Sequence, residues 1–467
     1  MSGGKRQVMI DGFSLAIEEG TGISTYARNL SYALHDAGHQ VHVLYGLPIK
    51  GVNPLLREVA FFDPQRTGGM KWASTRESMY QALADARDTL THARAQRVDL
   101  SGAVIAAPFR SRLPYFDQLW NARNVFLRAD KHFNRTKKFL PVSVPVRPDI
   151  AHWTFPLPVR ANRTKNIYTI HDLVPLRLPY TTLDIKRRHY RKLRRICREA
   201  DHIVTVSENS KKDIINLLGV PEERITNTYQ AVAIPEKYVT KPIDVVRREV
   251  EGTFNLSYKG YLLFYGAIEP KKNVGRLIEA YLGSKIDTPL VVVGKAAWKS
   301  EQELRILNDD VVRYLEHIDS LTVNRSRVQR IDYVPFPLLV SLVRGAKAML
   351  FPSLYEGFGL PALEAMTLGT PVLTSTEGSM PEIAGDAAML IDPYDTAQIA
   401  DGIRALDSNA ELRSELAAKG VSRARLFSTE RYRARIEELY DGVFEKKEMR
   451  EMNHIDQGDP TWLPSTN

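Results

Sequence analysis

Short strand-like runs, largely β-branched or apolar and separated by stretches of helical period, constrain this chain more than any other feature. Such runs recur at residues 8–11, 41–45, 167–170 and 202–206, and again at 261–265, 290–293, 328–333, 348–351, 371–374 and 388–391. A strand that is apolar at consecutive positions has both faces covered, and parallel strands need a helical crossover between them. The alternation therefore predicts α/β architecture with parallel sheets. It occurs twice along 467 residues, a length too great for one ordinary core, so the expected fold is two doubly wound lobes.

The first lobe is expected over residues 1–235, with an irregular insertion at about 50–150 that is rich in Arg, Pro and aromatics. Residues 236–259, proline-punctuated and mixed in charge, read as a linker, and 260–427 as the second lobe. A mixed-charge helix is expected over 428–452, packing back toward the first lobe, followed by a poorly ordered tail at 453–467. The longest apolar runs fall short of the roughly 20 residues of a membrane span, and M-S-G-G-K-R-Q-V-M-I carries no signal-peptide pattern, so a cytoplasmic protein is expected. One cysteine, Cys197, allows no internal disulfide, and its helical spacing marks it as a small buried hydrophobe. The net charge of +9 attracts anions, whether phosphorylated substrates, nucleic acid or lipid headgroups.

Four segments carry chemistry. In Y-E-G-F-G-L-P-A-L-E, residues 355–364, two glycines permit close backbone approach, Pro361 suits a helix start, and a helix N-terminus favours a diphosphate. Glu356 and Glu364 flank the turn, with Glu364 placed in the first helical turn, and carboxylates accept from vicinal sugar hydroxyls. A helix merely capped after a strand has the same spacing, and both readings stand at this point. Y-G-A-I-E-P-K-K-N places Lys271 and Lys272 at a strand's carboxyl mouth, either facing a ligand crevice or as a solvated surface pair. E-G-T-G-I-S links the first strand, which ends at Asp11, to the first helix through Gly20 and Gly22, as a phosphate turn or an ordinary one. I-Y-T-I-H-D-L sets His171 and Asp172 at another strand end, where a structural histidine is the plain alternative, and Ser207 reads as a helix N-cap.

Taken together, these motifs resemble the retaining glycosyltransferases of the GT-B fold, specifically the group 1 or GT4 family. The resemblance is dense over residues 261–393 and sparser over 10–34 and 167–213. It implies two Rossmann-like domains facing a central cleft, the first binding the acceptor and the second a nucleoside diphosphate sugar. It implies that Glu364 holds the ribose hydroxyls and that Glu356 lies by the hexose and the reacting centre. The amides of Gly357, Phe358, Gly359 and Leu360 then touch the sugar or the diphosphate. Lys272 meets the diphosphate, and Lys271 substitutes for an arginine that the family commonly places where this chain has Ala267. Gly22 matches a glycine near the diphosphate, and His171 one near the donor sugar, so Glu356, His171 and Lys272 are the expected catalytic residues. Asp11 is expected to face the acceptor.

Retention at the anomeric carbon is implied by the resemblance alone. The chain has no D-x-D pair and no zinc spacing, so no metal or other cofactor is expected, and the nucleotide sugar is a substrate. The I-E-P-K-K-N variant looks like mannosyltransferases of polysaccharide assembly, which favours GDP-mannose over UDP-hexoses. The expected acceptor is a glycan or lipid-linked glycan of a surface polysaccharide such as lipopolysaccharide. A nucleotide-sugar epimerase or a phosphorylase is the alternative use of the same cleft.

Between residues 184 and 199 (D-I-K-R-R-H-Y-R-K-L-R-R-I-C-R-E), Ile185, Leu193, Ile196 and Cys197 recur at helical spacing among lysines and arginines. This is either a packed helix with a solvated face or a peripheral contact with an anionic membrane. Only His189 and Tyr190 lie within the run, too few stacking groups for a nucleic-acid surface, so no nucleic acid is expected.

Overall fold

The computed structural model describes residues 5–16, 22–48, 92–100, 113–305, 313–318 and 321–455. Gly20, residues 49–91 and 101–112 of the expected insertion, and residues 456–467 lie outside the described residues. By contact density the chain divides into two compact units, one of Met1–Tyr168, Ala200–Ile203 and Tyr432–Asn467, the other of Thr169–Glu199 and Val204–Arg431.

An eight-stranded sheet has the spatial order Ile225–Asn227, His202–Thr205, Lys165–Thr169, Ile150–Trp153, Gln7–Asp11, Gln40–Tyr45, Gln118–Asn121, Gln96–Val98. Gln7–Asp11 pairs in parallel with Gln40–Tyr45 on one side and Ile150–Trp153 on the other. The described part of the expected 50–150 insertion is thus partly sheet, since Gln118–Asn121 pairs with Gln40–Tyr45 on one side and with the edge strand Gln96–Val98 on the other, and Val125–Thr136 is a helix. Ile150–Trp153 was not an expected strand, because His152 and Trp153 interrupt its aliphatic character. All four of its residues are buried, and the polarity is absorbed locally. His152 Nδ1 lies 2.8 Å from Tyr440 Oη of the final helix, and Trp153 Nε1 donates to Asn166 Oδ1 at 3.0 Å. The final helix, Thr429–Ile455, is further held in this unit by an Arg6–Asp441 ion pair at 2.6 Å.

Asp11 ends the central strand and is fully buried. Its carboxylate accepts from Phe13 N at 3.2 Å and from Thr154 N just beyond the neighbouring strand. Burial, resisted by those backbone bonds, pushes its carboxyl up to about 6. Each oxygen accepts from one backbone amide, so the carboxylate joins two strand ends.

The second sheet is all parallel in the order Val328–Ile331, Leu290–Val293, Leu262–Tyr265, Ala348–Phe351, Val372–Ser375, Met389–Ile391. Numbered within the unit this is 3-2-1-4-5-6, the doubly wound order. Leu262–Tyr265, Leu290–Val293 and Ala348–Phe351 are buried at every position, the physical reason these strands read as continuous apolar runs.

Residues 236–259, expected as a linker, are instead helical at Glu236–Val239 and Ile243–Phe254. Pro235 and Pro242 stand at the helix starts, where a missing N–H does no harm, rather than marking open chain. Val246 and Val250 are buried, and Lys241 bonds Glu249 Oε2 at 2.7 Å and Ser341 Oγ at 2.9 Å. An antiparallel hairpin of Arg313–Ile318 and Leu321–Ser326, not foreseen from the sequence, also belongs to this unit.

Candidate active site

In a doubly wound sheet, ligands bind where the strand order reverses, outside the carboxyl ends of the strands. Here the reversal lies between Leu262–Tyr265 and Ala348–Phe351. The segments leaving these two strands carry Lys271–Lys272 and Glu356–Gly359 respectively.

After the first of these strands the chain makes a short turn, Pro270–Lys272, then passes through Asn273 in the left-handed region (φ 60°) into the Val274–Ser284 helix. Asn273 is fixed by donating Nδ2 to the carbonyls of Pro352 (3.1 Å) and Pro393 (2.7 Å). Lys272 Nζ then reaches Glu356 Oε1 at 2.5 Å and sits 4.8 Å above the Phe351 ring. Lys271 Nζ lies 3.8 Å from Glu356 Oε2 and 3.6 Å from Glu269 Oε1.

Burial pushes the Glu356 carboxyl up, but Lys272 and Lys271 outweigh it and hold the group below the ordinary carboxylate value. Burial likewise opposes the charge of Lys271, yet Glu356, Asp172 and Glu269 hold its ammonium above the usual lysine value. The cluster is therefore a desolvated set of fixed charges, the kind of environment in which a lysine stabilises a departing phosphate strongly.

Glu356 is positioned by its own backbone as well. Its carbonyl accepts from Ser379 N at 3.2 Å and Ser379 Oγ at 3.0 Å. The glycines that follow are demanded by space. A Cβ on Gly357 would stand 2.6 Å from the His171 carbonyl oxygen and 2.9 Å from Asp172 Cβ. Gly359 has φ 91° and faces Met380 Sδ at 2.4 Å from such an atom, and it caps the Leu360–Thr367 helix without a side-chain cap bond. Between the glycines, the Phe358 side chain is 3% exposed and packs edge-on against Phe427.

Glu364 is the fifth residue of that helix rather than a first-turn residue, because the left-handed turn at Gly359 lets Leu360 begin it. Its Oε2 accepts from Tyr265 Oη at 2.5 Å, and the same hydroxyl lies 3.0 Å from the Pro361 carbonyl. His171 comes to the loop through its carbonyl, which packs on Gly357 and accepts from Ser210 Oγ at 2.9 Å. Lys271, Lys272, Glu356, Gly357, Phe358, Gly359, Leu360, Glu364 and His171 all belong to the second unit, whereas Asp11 and Gly22 belong to the first. Gly22 is the exposed first residue of the Gly22–Asp36 helix.

The family description "Glycosyl transferases group 1" matches residues 250–423, and "Glycosyltransferase Family 4" matches residues 20–233. O-antigen chain mannosyltransferase B of Escherichia coli is 32% identical over 282 residues, covering 59% of this chain and 69% of that protein. The chain belongs to the group 1 glycosyltransferases. Serotype-specific mannosyltransferase WbdA of Escherichia coli is 27% identical over 284 residues, 59% of this chain but 33% of that longer protein. Among solved structures, HepE of Anabaena in complex with UDP and glucose superposes with a TM-score of 0.60 at 14% identity, covering 94% of this chain and 100% of that one. This likeness shows the GT-B fold of two Rossmann-like domains.

As a group 1 glycosyltransferase the chain is a hexosyl-transferring enzyme. Its site includes residues that sequence reasoning did not name. Tyr355 Oη donates to Asp213 and accepts from Asn209 Nδ2 at 2.6 Å, while Arg177 Nε donates to Asp213 Oδ1 at 2.9 Å. Burial and the bond to Asp213 push the Tyr355 phenol well above its usual value, so it stays a neutral donor. Glu382 accepts from the amides of Glu208 (2.7 Å) and Asn209 (3.1 Å) at the start of the helix that Ser207 caps. These contacts clamp the Glu356 loop from the side of His171. Their partners lie 36 to 174 residues apart, and no local spacing announces them.

Proposed function

We propose that this glycosyltransferase transfers mannose from GDP-mannose to a hydroxyl of a growing surface glycan, with retention at the anomeric carbon. The observation that carries the reading is the paired Lys271–Lys272 and Glu356 cluster at the switch point of the second sheet, in a chain that covers 69% of a mannosyltransferase relative. In this reading Lys272 and Lys271 take the charge of the departing diphosphate, Glu364 holds the ribose diol, and Glu356 and the Gly357–Leu360 amides orient the hexose. The acceptor hydroxyl attacks from the face the diphosphate is leaving, without a resident metal. Incubating the enzyme with a lipid-linked mannan acceptor and either GDP-mannose, UDP-glucose or UDP-galactose tests it. GDP release that depends on acceptor, with an α-linked mannosyl product, is expected, and EDTA is expected to leave the rate unchanged. Release of UDP instead, or GDP-mannose consumption without acceptor, contradicts it.

We further propose a peripheral membrane contact through the Lys186–Glu199 helix. Leu193, Ile196 and Cys197 face the core, with the Cys197 thiol pushed up to about 12 by burial. Arg187, Arg191, Arg194 and Arg198 are exposed at helical spacing on one face. At the start of the helix Tyr180, Leu183 and Ile185 are 58%, 70% and 69% exposed. An apolar tip beside an arginine stripe suits an anionic bilayer surface, each cation adding about 1 kcal/mol. Co-sedimentation with phosphatidylglycerol vesicles is expected at low salt and is expected to fall when Arg187, Arg191 and Arg194 are all replaced by Glu. Salt-insensitive binding, or none, contradicts this contact.

A further inference from the structure

Glu269 has no role in the assignments above, yet it lies inside the charge cluster. It is 5% exposed, its Oε1 is 3.6 Å from Lys271 Nζ, and its Oε2 is buried with no hydrogen-bond partner. The nearby charges are those of Lys271, Lys272, Glu356 and Asp172. Two ammonium groups thus face three carboxylates, and the lysines are already matched in charge before any phosphate arrives. The carboxylates differ in how firmly they are held. Glu356 is anchored by Lys272 at 2.5 Å, whereas Glu269 meets Lys271 only at 3.6 Å, beyond hydrogen-bond length.

We propose that Glu269 is the internal counter-ion of Lys271, displaced by the diphosphate of the donor, and hence a positioning residue that sets donor affinity and its pH dependence. This rests on the diphosphate-binding reading of the lysine pair. A diphosphate beside Lys271 places more negative charge next to a carboxyl that burial, resisted by the two lysines, already holds above its ordinary value. Glu269 is the loosely held carboxylate next to Lys271, at 3.6 Å, and burial holds it above its ordinary value, so it is the group proposed to take up the proton. Donor binding then draws a proton onto Glu269, and affinity rises as pH falls.

Calorimetric titration of the full chain with GDP-mannose and with UDP-glucose, from pH 5.5 to 8.5, tests this on the wild type and on Glu269→Gln. The amide keeps the shape and removes the charge. The variant is expected to bind the preferred probe roughly tenfold more tightly at pH 8, with its pH slope flattened. Its KM is expected to fall without a matching change in kcat, and its melting temperature to stay within a few degrees. Weaker binding with a lowered melting temperature at every pH would mark Glu269 as only a turn-starting residue and overturn the proposal. Unchanged affinity, or a retained pH slope, overturns it equally. If neither nucleotide sugar binds the wild type, the diphosphate reading itself fails, and the counter-ion with it.

Discussion

Replacing Lys272 by Met should lower kcat/KM by on the order of 10³ and destabilise the protein by about 3 kcal/mol or more. The catalytic loss follows from removing the ammonium proposed to meet the leaving diphosphate. The stability loss follows from the geometry: Lys272 and Glu356 side chains are 11% and 8% exposed and 2.5 Å apart, so Met fills the space but leaves a buried carboxylate without its nearest cation. Lys271, 3.8 Å away, compensates only in part. The pH dependence should change sign. In the wild type the Glu356 carboxyl is held below its unfolded value, so its stabilisation is complete above about pH 4.5 and is lost as acid carries it through its folded value. In Lys272→Met burial dominates, the carboxyl rises above its unfolded value, and stability should instead fall as pH increases toward neutrality. Thermal unfolding between pH 4 and 8, with a lowered melting temperature that partly recovers in acid, is the expected pattern.

The lysine pair also shows what was legible in the sequence. The four central strands of the second sheet can be read from the sequence because each is buried at every position, which leaves a near-continuous apolar run, whereas the edge strand Val328–Ile331 is only partly buried and carries Gln329 and Arg330. The glycines of 355–364 read as room for a ligand, whereas the contacts that demand them here are with the protein itself, Gly357 against the His171 carbonyl and Gly359 against Met380. Ile150–Trp153 was missed for the opposite reason. Its buried His152 and Trp153 are satisfied by Tyr440 and Asn166, partners that no window around the strand contains. Asp11 reads as a ligand group because an acid ends a strand, and its bond from the Thr154 amide, 143 residues away, has no local signal. The Tyr355–Asp213–Arg177 clamp is likewise long-range, and a sequence read locally gives it no signal.

The second large effect concerns Glu364. Its replacement by Ala should leave the fold intact, since Tyr265 Oη keeps the Pro361 carbonyl 3.0 Å away as an alternative acceptor. It should nevertheless weaken donor binding by about 100-fold, because a carboxylate that accepts from both hydroxyls of a ribose contributes two charge-assisted hydrogen bonds. The effect should fall on KM and Kd for the whole nucleotide, free GDP included, and not on the response to the hexose. A loss confined to kcat would place Glu364 at the reacting centre instead.

Titration calorimetry of GDP-mannose against the wild type and Glu364→Ala tests whether the switch point of the second sheet is the nucleotide-sugar site. One-to-one binding to the wild type, reduced about 100-fold in the folded variant, is the predicted result. Binding of equal strength to both proteins would contradict it.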